Sequence, residues 1–177
     1  MNKKPVIYIA GPECFYPNAM ELAKEAVQLC EKYGFEGLSP IMGHPSLPTV
    51  DFSHGKKEAA KQIFYKNINL INMCDIVVAN LNNFRGWEPD GGTCFEIGYA
   101  YTQGKKIYGF MEDTRPCYEK YIGNVHYDEP FWRDDNGAFF ESGACNLMIS
   151  GHAPIIQGGL EDALKKVKAD LESQEEK

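Results

Sequence analysis

The sequence predicts a doubly wound α/β domain, with about five parallel strands in one sheet and helices on both of its faces. Short β-branched apolar runs alternate along the chain with longer segments whose apolar residues recur at the helical period. Gly, Pro, Asn and Asp separate these segments, as is typical of turns. Strands that alternate with helices form right-handed βαβ units and therefore a parallel sheet. The 177 residues suit one domain, 1–177, with 172–177 as a solvated tail.

Strands are predicted where a short apolar run ends at a turn signal. The first run, VIYIAGP at 6–12, closes on Gly11-Pro12 and is typical of a central strand. A second strand is predicted at 35–38, before a long surface loop at 39–55 that contains three prolines and two glycines. The later strands are predicted at 76–81, 106–110 and 145–150.

Helices are predicted where the apolar period approaches 3.6 residues. In the segment 18–33 these residues include Met20, Ala23 and Val27, and Gly34 follows as a C-cap. The segment 111–144 mixes Pro, Gly, Asp and aromatic residues without a clean period, so we expect mostly loop there. The other helices are predicted at 56–74, 93–104 and 160–171.

Composition excludes several classes of protein. Asp and Glu outnumber Lys and Arg by 25 to 18, and without a basic run the chain is not expected to bind a nucleic acid polymer. No stretch reaches the roughly 20 apolar residues of a membrane span, so we expect no membrane association. The six cysteines stand singly, without metal-ligand spacing, which favours reduced thiols in a cytoplasmic protein. We expect neither a metal nor an organic cofactor.

The most informative polar residues follow the predicted strand at 76–81. In an open α/β sheet, ligands bind at the carboxyl ends of the strands. The loop after this strand carries Asn80, Arg85, Trp87 and Asp90 and closes on Gly91-Gly92. Loops also collect Asn, Asp and Gly simply because these residues turn easily, and both interpretations stay open. Neither a dinucleotide fingerprint nor a P-loop motif is present.

Glu96 stands between Phe95 and Ile97 on an apolar segment, and two explanations compete for it. Thr93 and Glu96 satisfy the capping-box pattern, in which Thr93 caps the helix and Glu96 reaches back to the cap N–H. The other explanation is chemical: a carboxylate near a helix N-terminus, with Asp90 six residues earlier, provides a carboxylate pair. Such pairs cleave bonds at an anomeric carbon.

Four stretches together resemble the nucleoside 2-deoxyribosyltransferase family, and the resemblance spans nearly the whole chain in order. The D-G-G-T-x-x-E-I-G-Y-A segment is specific at this spacing, whereas Y-I-A-G-P alone is weak. The stretches are YIAGP at 8–12, N-x-x-L-I-x-x-C-D at 67–75, VANLNNFRGWEPDGGTCFEIGYAYTQGKKIYGF at 78–110 and NGAFFESGACNLM at 136–148.

The resemblance implies a flavodoxin-like fold and transfer of 2-deoxyribose between nucleobases in nucleoside salvage. Glu96 would be the nucleophile of a retaining double displacement, Asp90 would bind the sugar hydroxyls and support it, and Tyr8 would position Glu96. Asn146 would complete a neighbouring subunit's sugar site, which implies a homo-oligomer built of dimers, up to a hexamer. Alternatively, Tyr8 only packs in its strand and Asn146 only caps a strand.

Further residues are assigned to substrate binding. Gly11 follows the first predicted strand, and Gly92 closes the loop after the predicted strand at 76–81. Phe15 and the 40–55 loop are expected to flank the base. The expected partners are deoxynucleosides and free purine or pyrimidine bases.

Asn67 departs from the family pattern. Some members have Asp at this position as the candidate proton donor to the departing base, and an amide does not donate a proton in that sense. Asn67 is therefore expected to hydrogen-bond the base or to pack within its helix, and the proton donor stays open between Asp90, a water and direct protonation from solvent. Asp75 lies at the amino end of its strand and is expected to be structural.

Two alternatives to the transferase stay open. One is a hydrolase on the same fold that cleaves the N-glycosidic bond of deoxynucleosides or their 5′-monophosphates. Arg85 is then the candidate partner of a phosphate. The other is a non-catalytic nucleotide-binding module in which Glu96 only caps its helix. We favour the transferase.

Overall fold

A five-stranded parallel sheet forms the centre of the protein, which confirms the predicted fold class. The structure is a computed structural model and describes residues 4–175. The strands lie in the order β2-β1-β3-β4-β7, the flavodoxin-like doubly wound order. Their bounds are β1 Val6–Ala10, β2 Glu36–Leu38, β3 Ile76–Asn80, β4 Lys106–Met111 and β7 Ile155–Gln157.

Helices cover both faces of this sheet. Contacts place α2 and α3 against one face and α1 and α6 against the other. Among residues 4–175, no helix is both long enough and apolar enough to cross a membrane. The bounds are α1 Ala19–Lys32, α2 Lys56–Met73, α3 Gly91–Thr102, α4 Cys117–Lys120, α5 Leu147–Ser150 and α6 Leu160–Glu175, and a short 3-10 helix spans Pro12–Phe15.

Strand alternation produces two apolar cores. Within β1, Ile7 packs toward α1 and α6, whereas Tyr8 packs toward α2 and α3, and both are fully buried. β3 alternates in the same way, with Val77 on the face of Tyr8 and Val78 on the face of Ile7. Strands buried on both faces explain the continuous apolar runs in the sequence. Tyr8 is thereby fixed under the helices that carry the site.

Asp75 has the structural role predicted for it. Its Oδ2 accepts a hydrogen bond from the backbone N–H of Val6 at 2.8 Å, and its own N–H donates to the Val6 carbonyl, also at 2.8 Å. Asp75 therefore fastens the start of β3 to the start of β1, at the edge of the sheet opposite the carboxyl ends.

The structure corrects three predictions. The strand predicted at 145–150 is wrong, because α5 occupies most of this segment and the edge strand β7 comes later. The segment 111–144 is not mostly loop: it contains α4 and an antiparallel hairpin of β5 Val125–Asp128 and β6 Phe131–Asp134. Residues 172–175 of the predicted tail belong to α6, and 176–177 lie outside the described residues.

Candidate active site

A pocket of about 730 Å³ opens at the carboxyl edge of the sheet. Four parts of the chain form it: the turn after β1, the loop between β2 and α2, one face of α2, and the start of α3. A second pocket of about 390 Å³, between α1 and the sheet, is mostly apolar and lacks the paired Asp90 and Glu96. Six of the eight predicted site residues line the larger pocket: Gly11, Phe15, Asn67, Asp90, Gly92 and Glu96.

Glu96 is held by two side chains from different elements. The Tyr8 hydroxyl donates to Glu96 Oε1 at 2.6 Å from beneath the pocket floor. Asn67 Nδ2, from α2, donates to the same oxygen at 3.4 Å. Oε2 accepts no hydrogen bond from the described residues, so one oxygen is anchored and the other is open to the pocket.

Burial makes the Glu96 carboxyl a weaker acid than an exposed glutamate. Burial raises the pKa of Glu96 from 4.5 to about 7, against the opposing hydrogen bonds of Tyr8 and Asn67, and the nearby Asp90 carboxylate raises it further. Burial, followed by the charge of Glu96, raises the pKa of Tyr8 far above its usual range, so the phenol stays a donor. Glu96 therefore titrates near neutral pH beside a hydroxyl that does not.

The capping-box explanation for Glu96 is wrong. The N-cap of α3 is Asp90, whose Oδ2 accepts from the Thr93 backbone N–H at 2.9 Å and from the Thr93 hydroxyl at 3.2 Å. Glu96 consequently lies in the second turn of the helix, too far along to satisfy the cap N–H. Its side chain lies on the same face of the helix as Gly92 and Thr93, which is the pocket face.

Two glycines that line the pocket leave room for neighbouring carboxylates, Asp90 beside Gly92 and Glu13 beside Gly11. A Cβ on Gly92 would lie 3.0 Å from Asp90 Oδ2, so a larger residue would displace the capping carboxylate. A Cβ on Gly11 would meet the Glu13 carboxylate and lie 3.0 Å from Asn80 Cβ. Glu13 Oε1 accepts from Asn80 Nδ2 at 2.7 Å, and this hydrogen bond ties the turn after β1 to the end of β3.

Phe15 lies at the rim of the pocket in an aromatic stack. Its ring packs against Phe84 with centroids 5.2 Å apart. The Arg85 guanidinium lies 4.9 Å from the Phe15 centroid and 4.8 Å from that of Phe84. These contacts fix an exposed ring at the mouth of the pocket, where a planar ligand can stack on it.

A family model described as nucleoside 2-deoxyribosyltransferase matches residues 7–148, a range that contains the pocket and all eight predicted site residues. The chain belongs to the nucleoside 2-deoxyribosyltransferase family. It is therefore a glycosyl-transferring enzyme that acts on nucleosides.

Two known proteins resemble this family member over most of its length. The 2-desoxiribosyltransferase from Leishmania mexicana is 33% identical, superposes with a TM-score of 0.71, and the match covers 93% of this chain and 97% of that one. An uncharacterised protein of Schizosaccharomyces pombe is 31% identical over 156 residues, which is 88% of this chain and 71% of that protein.

In this deoxyribosyltransferase family member, Asn146 lies outside the pocket of its own chain. Asn146 is exposed and caps α5, where its Oδ1 accepts from the Met148 N–H at 3.0 Å. The predicted alternative, a cap on a final strand, is wrong because the segment is helical. The next two residues, Leu147 and Met148, are also exposed. Asn146 therefore does not line the pocket of its own chain.

The sequence did not identify three residues that line the pocket. Cys14 follows the turn after β1, His44 comes from the 39–55 loop, and Lys66 precedes Asn67 on α2. The loop forms much of the pocket wall, with Ile41, Leu47, Val50 and Phe52 among its contributions. The sequence placed the 40–55 loop near the base without singling out His44, and for Lys66 the signal was helical spacing, because Ile63, Lys66 and Asn67 lie at i, i+3 and i+4. Residues 4–175 contain no cluster of potential metal ligands.

Proposed function

We propose that this protein transfers 2-deoxyribose between nucleobases through a covalent deoxyribosyl ester on Glu96. The observation that carries the proposal is the asymmetric holding of Glu96, with Oε1 anchored by Tyr8 and Oε2 free in the pocket. A structural cap would make its hydrogen bonds to its own helix, and Glu96 makes none of these. A carboxylate held in this way is positioned for nucleophilic attack.

In the first half of the reaction, Glu96 Oε2 attacks C1′ of a deoxynucleoside and the base departs. Asp90 shares the pocket, and its carboxylate can accept hydrogen bonds from the sugar hydroxyls while it caps α3. Asn67 Oδ1 accepts no hydrogen bond from the described residues, but this atom is buried below the reach of a substrate, so Asn67 acts through the hydrogen bond that its Nδ2 donates to Glu96. Phe15 supplies a stacking surface for the base.

In the second half, an incoming base attacks C1′ from the face that the first base left. Each displacement inverts the anomeric carbon, so the product keeps the configuration of the substrate. The ester breaks and the Glu96 carboxylate re-forms in its hydrogen bonds to Tyr8 and Asn67. The outcome is base exchange, the chemistry of nucleoside salvage.

We further propose that the protein works as a homo-oligomer built of dimers. Asn146 lies outside its own pocket, which supports a site completed by a neighbouring copy. The outer faces of α2 and α3 also expose an aromatic surface, with Phe64 and Phe95 centroids 5.8 Å apart and Tyr65 and Tyr101 more than half exposed. We propose that this aromatic surface packs against the same surface of a second copy of the protein.

The decisive experiment is incubation with thymidine and adenine. Formation of deoxyadenosine supports the transferase, and release of free deoxyribose in its place identifies a hydrolase. If thymidine and other deoxynucleosides all persist, the proposal is wrong. The same assay with ribonucleosides tests whether a 2′-hydroxyl is tolerated.

Matched variants connect the activity to Glu96. Glu96→Gln keeps the size of the side chain and removes the nucleophile, and we expect transfer to fall by several powers of ten. Glu31→Gln changes an exposed glutamate on α1 and should leave activity unchanged. Mass spectrometry of the wild type quenched without an acceptor base should show one added deoxyribosyl group, which Glu96→Gln should lack.

A further inference from the structure

Among the described residues, one lysine lines the pocket, and the proposed base exchange assigns no role to it. Lys66 is the sole Lys or Arg among the lining residues of this pocket in the part of the chain that the structure describes. With Ile63 and Asn67 it occupies one face of α2, and all three line the pocket. Lys66 Cδ lies 3.9 Å from the position that a Cβ on Gly43 would take, so the side chain extends toward the pocket-lining loop.

The ammonium group of Lys66 has no protein partner. Lys32, Lys165 and Lys166 form ion pairs, whereas Lys66 Nζ makes neither an ion pair nor a hydrogen bond with any residue in 4–175. Burial lowers the pKa of Lys66 below its usual value. Because its pKa is lowered, the ammonium of a half-buried lysine is a stronger acid than that of an exposed lysine.

The pocket is also divided by polarity. Its α3 side carries the acceptors Asp90 and Glu96, and its α2 side carries the donor Lys66. Sugar hydroxyls donate hydrogen bonds, while the ring nitrogens and carbonyl oxygens of a base accept them. A nucleoside that satisfies these groups would have its sugar against the acids and its base toward Lys66.

A departing base must have its developing negative charge stabilised or neutralised. When the bond from C1′ to the base nitrogen breaks, its electron pair stays with the base, and a proton there makes the base a better leaving group. Asn67 cannot supply the proton, since its amide is not an acid and its Nδ2 already donates to Glu96. Lys66 is its neighbour on the same face of α2.

We propose that Lys66 protonates the departing base, an inference that rests on the proposed deoxyribosyl transfer. As Oε2 of Glu96 forms its bond to C1′, one proton moves from Lys66 Nζ to the base, which leaves neutral. The neutral amine then takes the N–H proton of the acceptor base as that base bonds to C1′ and the ester bond breaks. The ammonium and the carboxylate are both restored, so protons and electrons balance over one turnover.

Lys66 lines both the pocket that holds Glu96 and a neighbouring one, and several titratable groups that share these two pockets enter any pH profile. They are Asp90 and Glu96 from α3, Cys14 from the 3-10 helix, His44 from the loop, and Glu58, Lys61 and Tyr65 from its own helix. His44 is the rival proton donor. Its Nδ1 accepts from the Ser46 N–H at 3.2 Å, which assigns the proton of the neutral ring to Nε2.

The test compares two leaving groups in Lys66→Met and Lys61→Met. Lys61 is the matched control: it lies on α2 and lines a neighbouring pocket but not the one that holds Glu96. One substrate is 2′-deoxyguanosine, and the other is 7-methyl-2′-deoxyguanosine, whose base already carries positive charge and leaves without a proton. We expect Lys66→Met to lower kcat/KM about 100-fold for the first substrate and to spare the second, with Lys61→Met normal on both.

Lys66→Met should also remove the limb of the pH profile on which kcat/KM falls as Lys66 loses its proton, and keep the limb near pH 7 set by Glu96. An equal loss on both substrates would overturn the proposal while leaving deoxyribosyl transfer intact, and so would a selective loss in His44→Gln but not in Lys66→Met. A loss confined to 5′-monophosphate substrates would identify a phosphate ligand and also overturn it. A wild type inactive on every deoxynucleoside would refute the proposed function.

Discussion

Replacing Glu96 with Gln should stabilise the folded protein at alkaline pH. The side chain is largely buried, and burial raises the pKa of its carboxyl from 4.5 to about 7. Above pH 7 the folded protein must therefore hold a carboxylate that prefers water. Gln is uncharged at every pH and can keep an oxygen where Glu96 Oε1 accepts from Tyr8. The substitution removes the cost of the buried charge and keeps the shape.

The size of the effect follows from the two pKa values. Each pH unit between them costs the folded state about 1.4 kcal/mol, which gives about 3 kcal/mol at pH 8.5. The sign follows because the folded pKa lies above the unfolded one. The stability contributed by protonated Glu96 is fully present below pH 4.5 and is lost as pH rises through about 7. For a chain of this length, about 3 kcal/mol raises Tm by roughly 6–12 °C.

Urea denaturation at fixed protein concentration measures this difference. The free energies of unfolding of wild type and Glu96→Gln should converge at pH 4.5 and separate by about 3 kcal/mol at pH 8.5. Glu31→Gln, on the exposed side of α1, should differ from wild type by a small and pH-independent amount. Equal stabilities at pH 8.5, or a less stable Glu96→Gln, would show that the hydrogen bonds from Tyr8 and Asn67 outweigh burial and would refute the reasoning.

Three further outcomes are expected. Tyr8→Phe removes the 2.6 Å hydrogen bond to Glu96, so kcat/KM should fall about 100-fold and its acidic limb should move above pH 7; an unshifted limb would contradict this. Asn67→Asp places a like charge where the amide lies 3.4 Å from Glu96 Oε1, so the acidic limb should also move upward, and a downward shift would exclude the repulsion. Glu96→Gln and Asn146→Ala, refolded together, should recover activity that neither shows alone, because mixed assemblies combine an intact Glu96 with a neighbour's Asn146; no recovery would count against a shared site.

Most of the sheet could be predicted because buried parallel strands leave strong apolar runs. The strands near 6–10, 36–38, 76–80 and 106–111 all appear where the pattern placed them. The prediction for 145–150 failed because a six-residue segment with four apolar residues cannot distinguish a strand from one helical turn. Cys145 and Ile149, which are both buried, are four residues apart and fit the turn. The hairpin at 125–134 was missed because both its faces are largely exposed, so no alternation marks it.

The candidate site was predictable only in part. Asp90 precedes two glycines after a buried strand, Glu96 follows six residues later, and that context is visible in the sequence. The sequence does not show whether Asp90 or Thr93 caps the helix, because Asp90 lies three residues before Thr93 just as Thr93 lies three before Glu96. In the structure the N-cap is Asp90, whose carboxylate is a stronger hydrogen-bond acceptor than a hydroxyl. Lys66 was missed because its exposure to the pocket depends on how the 39–55 loop folds over α2.

The hydrogen bond from Tyr8 removes the symmetry of the Glu96 carboxylate. A free carboxylate has two equivalent oxygens and can react through either, whereas here Oε1 is tethered to a phenol that stays protonated. In the proposed intermediate the sugar is on Oε2, so Oε1 becomes the ester carbonyl and still accepts from Tyr8. The same bond that tempers the nucleophile therefore draws electron density from the ester when the carboxylate must leave. This one hydrogen bond therefore brings the activation barriers of the two half-reactions closer together. Similar barriers suit an enzyme whose substrates and products belong to the same chemical class.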